Sequence, residues 1–122
     1  MSVNYGFKYI YSHLKESGYD VYSMGQHKGL ATAPYIVLKS LGATPVNSAS
    51  DRQYELLLYM PEDRYSEMED FCESVKMTME QIRPQVVMYE DESEHYLDPD
   101  KKAYMTSLVY RSPRLVSYRC KQ

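Results

Sequence analysis

Residues 53–84, QYELLLYMPEDRYSEMEDFCESVKMTMEQIRP, predict one strand followed by one long amphipathic helix. In the first part, apolar residues at every second position fall on one face of a strand: Tyr54, Leu56, Leu58 and Met60. Pro61 has no backbone N–H to donate, so the strand is expected to end there. A strand joined to a helix in this way lays the helix across the sheet.

The second part of this stretch carries an apolar stripe at steps of three and four residues: Tyr65, Met68, Cys72, Val75, Met79 and Ile82. Charged residues fill most of the positions between them. Ser66 and Glu69 have the spacing of a capping box, Asp63 is an alternative cap, and Pro84 marks the end. We therefore expect a helix of about five turns with one buried face.

The remaining predicted elements are a helix over 3–17 closed by Gly18, and strands over 19–22, 34–39, 85–89 and 102–110. Segments without periodicity predict loops over 25–33, 42–51 and 90–100. The order α-β-β-β-α-β-β has no βαβ repeat. It predicts an α+β fold, a mainly antiparallel four- to five-stranded sheet with two helices packed on one face.

The length of 122 residues predicts a single domain, assigned to 1–110, followed by a basic C-terminal tail over 111–122. Hydrophobic residues make up 43% and charged residues 25%, as expected for a folded, soluble protein. The N-terminus lacks the plan of a signal peptide, which predicts synthesis in the cytosol without a membrane partner. A net charge of −3 gives no general attraction to nucleic acid.

The charges are segregated along the chain. Residues 90–100 contain acids but no Lys or Arg, whereas 111–122 contain four cations and no acid. Such a pattern suits contacts between copies of one protein, and it equally suits a solvated loop with a frayed terminus. The 14 tyrosines, against 2 phenylalanines, favour either a surface buried in a complex or simply strands.

The sequence offers little for chemistry. The three histidines, His13, His27 and His95, have no metal-ligand spacing, and the acidic segment lacks the glycine of a Ca²⁺-binding loop. Cys72 is expected in the helix core and Cys120 near the terminus, so neither thiol is placed beside a base. We expect no enzyme, with no catalytic, cofactor-binding or metal-binding residues.

Short core and turn patterns in a fixed order resemble the tail terminator family of tailed phages: residues 27–29, 33–39, 54–61, 65–69, 75–76, 95–98, 102–107 and 110. The resemblance spans most of 26–114 and rests on order and spacing, since none of these patterns is diagnostic alone. It departs from the family at residues 30–32, where a cysteine often follows the glycine. Related prophage and tailocin particles carry similar proteins.

The resemblance implies a non-enzymatic virion protein, a compact α+β subunit of a hexameric ring that caps the tail tube and joins it to the neck. Its partners would be further copies of itself, the tail tube protein and neck or connector proteins, with the sheath as a further candidate, and no nucleic acid specificity. Assembly would take place in the host cytoplasm. Alternatives are a head–tail connector or stopper ring subunit, and a small metal- or ligand-binding module that uses the acidic loop and His95.

A closed ring requires two different complementary patches on each subunit. The candidate subunit and tube contacts are His27, Lys28, Glu90, Asp91, Glu92, Glu94, Arg111, Arg114 and Arg119. The two long predicted loops, 25–33 and 42–51, are the candidates for contacts along the ring axis.

Overall fold

A computed structural model describes the backbone of residues 5–26, 29–46 and 49–115, and the side chains of 5–26, 29–43 and 51–113. The helices are α1 (Phe7–Glu16) and α2 (Met68–Glu80), with a 3₁₀ segment (Glu62–Glu67) before α2. The strands are β1 (Val21–Ser23), β2 (Tyr35–Val46), β3 (Ala49–Pro61), β4 (Val87–Glu90), β5 (Tyr96–Asp98) and β6 (Ala103–Leu115).

The strands form one sheet in the order β1-β2-β3-β6-β4, with β5 also paired to β6. Among the described residues, the β1–β2 pair is the one parallel pair and the other pairs are antiparallel. The predicted α+β class and mainly antiparallel sheet are confirmed, but the sheet has six strands. The additional strand is β5, which lies inside the predicted acidic loop. Its three residues are too few to display an alternating pattern.

Both helices pack on the same face of the sheet. The even-numbered residues of β3 predicted to face the core are buried, and Leu56 pairs across the sheet with Leu38 and Leu108. Ile10 and Leu14 of α1 belong to the same cluster. So do four residues of α2, Met68, Cys72, Val75 and Met79. The helix-bearing face therefore forms the main core, as the period-two and helical patterns predicted.

The start of α2 differs from the prediction. Its N-cap is Glu67, without a side-chain capping bond, and the preceding turn is a 3₁₀ helix that contains Ser66. A 3₁₀ helix has about three residues per turn, so Tyr65 is rotated away from the buried stripe and is exposed. Arg64 and Glu67 form an ion pair at 2.7 Å within this turn. The predicted capping box is therefore wrong.

The predicted long connector over 42–51 is also wrong for its described residues, because β2 continues to Val46 and β3 begins at Ala49 as its antiparallel partner. Ala43 pairs with Arg52, and Val46 pairs with Ala49. Gly42 has a φ of 96° at the point where the register shifts, as expected of a glycine in a β-bulge. Turn-favouring residues here occupy strands, because β3 is hydrogen-bonded on both sides. At the other end, β6 extends to Leu115, five residues beyond the predicted strand.

The face opposite the helices carries a smaller apolar cluster that includes Tyr35, Val37, Tyr59 and Met105. The Tyr35 and Tyr59 rings stack with their centroids 4.6 Å apart. Several tyrosines are therefore strand residues with buried rings. Three others have exposed side chains: Tyr65, Tyr89 and Tyr96. The strand explanation accounts for the buried tyrosines, whereas burial of the exposed ones in a complex stays a prediction.

We expect alkaline pH to destabilise the fold through buried tyrosines, Tyr110 above all. Burial raises the pKa of Tyr110 above its usual value, helped by the negative charge of Glu80 and Asp91 and opposed by Lys76. Stability from this group is complete below the unfolded pKa of 10.0 and falls as the pH rises toward the folded pKa. The loss is up to about 1.4 kcal/mol per pH unit for each such tyrosine.

Urea unfolding between about pH 8 and about pH 11 measures this slope, with tyrosinate absorbance as a second signal. The matched variant is Tyr110→Phe, because the buried Tyr110 hydroxyl has no hydrogen-bond partner among the described residues. The variant should fold and show a shallower loss of stability with pH. An unchanged slope would show that Tyr110 does not contribute.

Candidate functional site

The acidic segment lies against α2, where Lys76 contacts three carboxylates. The Lys76 Nζ atom is 2.9 Å from Asp91 Oδ1, 3.1 Å from Glu92 Oε1 and 3.1 Å from Glu73 Oε2. Burial alone would lower the pKa of Lys76, but the hydrogen bonds to these carboxylates raise it overall. Asp91 and Glu92, two predicted intersubunit residues, therefore have a cation partner within their own chain.

The same contacts lower the pKa of both loop carboxyls. For Asp91, the hydrogen bond from Lys76 is the main cause, followed by the backbone N–H of Glu92. For Glu92, burial acts in the opposite direction, but hydrogen bonds to His95 and Lys76 outweigh it. Both carboxylates are thus held in the ionised form that the lysine requires.

The loop is also attached to β6 through Ser93. The Ser93 backbone N–H donates to Ser107 O at 3.1 Å, and the Thr106 hydroxyl donates to Ser93 O at 2.6 Å. The Ser107 N–H donates to the Ser93 hydroxyl at 2.9 Å. The acidic segment, for which a solvated loop was one of two predictions, is consequently held by a helix on one side and a strand on the other.

His95 completes this network. Its Nε2 atom hydrogen-bonds to Glu92 Oε2, and its Nδ1 atom lies 3.1 Å from the Tyr65 hydroxyl. The Cys72 Sγ atom lies within 4.8 Å of the Glu92 and His95 ligand atoms. We call these three residues, Cys72, Glu92 and His95, the Cys–Glu–His cluster. The sequence did not indicate this cluster, because α2 and the acidic segment come into contact only when the sheet has folded.

Cys72 is fully buried, and burial raises the pKa of its thiol to about 12, with the Glu92 charge as the next cause. The thiol is therefore protonated at neutral pH, and it packs as the small core residue that the helical stripe predicted. In the sequence, Glu92 and His95 are three residues apart. That spacing alone is too common to indicate a site.

The predicted basic contacts are separate from the acidic segment. Arg111 lies in β6, and its Nη1 atom is 2.7 Å from Asp51 Oδ2 on the neighbouring strand. Only the backbone of Arg114 is described, also in β6. His27, Lys28 and Arg119 lie outside the described residues. Glu90 and Glu94 are exposed, and neither forms an ion pair with any described residue.

Searches for relatives give no assignment, since no protein-family model matches the sequence and no curated protein matches it significantly. Within the described residues, no helix has the length and apolar character needed to cross a bilayer.

Proposed function

We propose that this chain is a structural subunit of a tail terminator ring, which caps the tail tube of a phage or related particle and joins it to the neck. Two things support the proposal at the level of the whole chain. The ordered sequence resemblance covers most of 26–114, and the α+β fold is of the class that the resemblance implies.

The observation that carries the proposal is that the sheet ends in two unlike, partly apolar edges. One edge is formed by β1 and by the part of β2 beyond Leu38, which among the described residues pairs only with β3. Met24, directly after β1, is 67% exposed, and Leu41 is 43% exposed. The backbone of β1 is already bonded within the chain, since the Tyr11 hydroxyl donates to Val21 O and the Ser23 N–H donates to Gln26 Oε1. This edge therefore offers exposed apolar side chains together with the part of β2 that pairs on one side only.

The opposite edge is formed by β4 and β5, which pair with different parts of β6. Three large side chains are exposed there: Tyr89, Tyr96 and Leu97. A head-to-tail contact joins two different patches of the same chain and closes into a ring when the rotation allows it. Aromatic residues are enriched in such contacts. The two edges are therefore our candidates for the two sides of the subunit interface.

Charge adds a specific contact at the second edge. The sequence predicted a contact between acids of one subunit and cations of the next. Partners in the same chain already occupy Asp91, Glu92 and Arg111. The remaining acidic candidates are Glu90 and Glu94. Glu90 ends β4, and Glu94 precedes β5. A neighbouring subunit could supply the cations from its basic segment, 111–122, and the contact would weaken with added salt. The β2–β3 hairpin replaces the predicted 42–51 loop as the candidate for tube contact.

The test is electron microscopy of the protein mixed with the tube protein from its own genomic neighbourhood. We expect tubes with a cap at one end and a limited length. The double variant Glu90→Lys/Glu94→Lys should cap fewer tubes, because it reverses charges that have no partner in the described chain. Glu69→Lys/Asp70→Lys is the matched control, since it reverses two exposed charges on the solvent side of α2.

Uncapped tubes of unchanged length would overturn the terminator proposal. Binding to connector rings in place of tubes would favour the alternative, a head–tail connector or stopper subunit built from the same edges. Equal capping by both charge variants would leave the ring proposal standing and remove Glu90 and Glu94 from the interface.

A further inference from the structure

The Cys–Glu–His cluster brings three different metal-ligating groups together from two elements. Cys72 comes from α2, whereas Glu92 and His95 come from the segment between β4 and β5. Their Sγ, carboxylate oxygen and ring nitrogen atoms all lie within 4.8 Å of one another. Two ligands of a tetrahedral Zn²⁺ ion are roughly 3.3 to 3.7 Å apart, given bond lengths of about 2.0 to 2.3 Å. Forming the site would therefore require the most distant of these atoms to approach by roughly 1 Å.

The atoms next to each ligand hold it in the orientation that a metal would require. The Tyr65 hydroxyl binds His95 Nδ1, which leaves Nε2 facing the cluster. Lys76 binds Glu92 Oε1, which leaves Oε2 facing His95. In protein zinc sites, the second nitrogen of a ligating histidine is commonly bound to an oxygen in this way. This arrangement is a second observation, independent of the proximity of the three ligands.

The solvent exposure of the cluster and the net charge of its three ligands are also suitable for a divalent cation. The side chains of His95 and Glu92 are 12% and 22% exposed, so an ion can enter between them, while the buried Cys72 forms the floor. A thiolate, a carboxylate and a neutral imidazole together carry two negative charges, which balance Zn²⁺. Lys76 remains paired with Asp91 and Glu73 at the side of the cluster.

We propose that this chain binds Zn²⁺ through Cys72 Sγ, Glu92 Oε2 and His95 Nε2, with a water molecule as the fourth ligand. On binding, the Cys72 thiol loses its proton to solvent and the sulfur forms the Zn–S bond. The ion takes the place of the hydrogen bond between Glu92 and His95, so the Nε2 proton is released to solvent and the neutral ring carries its proton on Nδ1, where it faces the Tyr65 oxygen. The metal would fasten the 91–95 segment to α2, at the edge of the sheet that carries β4 and β5.

The sequence predicted no metal site, because it contains no histidine pair at metal-ligand spacing and places Cys72 in a helix core. Both observations remain correct. The site arises because the third ligand comes from a segment that the fold lays over that core residue. The proposal rests on these contacts alone and is independent of the ring function.

The experiment uses the full chain, freed of metal with a chelator and then titrated with Co²⁺ as a spectroscopic probe. We expect one Co²⁺ per chain, a thiolate-to-cobalt charge-transfer band, and loss of that band when Zn²⁺ is added. In a hundredfold excess over its Kd, Zn²⁺ should raise the Tm by about 10 °C. Absence of both the band and the Tm shift would overturn the proposal.

Variants identify the ligands. Cys72→Ser should abolish the charge-transfer band, while Cys120→Ser should retain it. His95→Gln and Glu92→Gln lie on the surface side of the cluster, so they test the site even if the buried Cys72→Ser variant fails to fold. Tyr65→Phe should keep the band but weaken Co²⁺ binding by about tenfold, as expected for a positioning residue. A band that survives both His95→Gln and Glu92→Gln would place the metal elsewhere.

Discussion

Replacing Leu56 with alanine is expected to lower the free energy of unfolding by about 3 kcal/mol. Leu56 is fully buried at the centre of β3, between Leu38 of β2 and Leu108 of β6, which are themselves fully buried. The helices cover this face, so the surroundings can close only partly around the missing atoms. The loss therefore includes a cavity term in addition to the lost transfer free energy.

The control lies one residue away. Leu57 is on the other face of the same strand and is only half-buried, so Leu57→Ala removes the same atoms from a partly solvated site. Its expected cost is about 1 kcal/mol. Urea unfolding of both variants, compared at equal m-values, measures the difference. Equal losses would contradict the assignment of the even-numbered residues of β3 to the main core.

Regular patterns predicted the core because burial imposes them. The period-two run in β3 and the stripe in α2 must face apolar partners, whichever strands and helices supply them. The errors fall where tertiary pairing overrode local preference. Residues 42–46 and 49–51 contain many turn formers, yet β3 is paired on both sides and holds these described residues in strands. Tyr65 fits the helical stripe in sequence, but the 3₁₀ turn directs it toward His95.

The candidate site was less predictable than the fold. The sequence placed Glu92 and His95 in the acidic loop and Cys72 in a helix. Their contact depends on the path of the chain after β4, which the sequence did not predict. The separation of acids and cations along the sequence did not reveal that Asp91, Glu92 and Arg111 have oppositely charged partners within their own chain. Lys76 has no distinguishing pattern in the sequence beyond its place on the charged side of α2, although it binds two of the predicted interface acids.

Lys76→Met should lower the free energy of unfolding by about 2 kcal/mol in metal-free protein. The methionine keeps most of the apolar stem, so the change removes mainly the charge. Asp91 and Glu73 are well exposed and can be hydrated instead, whereas the side chain of Glu92 is only 22% exposed and cannot recover full hydration. The cost arises chiefly from Glu92, a partly buried carboxylate that has lost its cation.

Arg83→Met is the matched control, because Arg83 and Glu80 form an ion pair at 3.5 Å in which both side chains are 57% exposed. Such a surface pair is worth at most about 0.5 to 1 kcal/mol. Hydrogen exchange separates two explanations for a loss at Lys76, since the Ser93 N–H is bonded to Ser107 O. If Lys76 holds the loop, the exchange rate of the Ser93 amide should rise in Lys76→Met and stay the same in Arg83→Met. A stability loss without faster exchange at Ser93 would mean that Lys76 acts through the packing of α2, and that the loop is held by its contacts with β6.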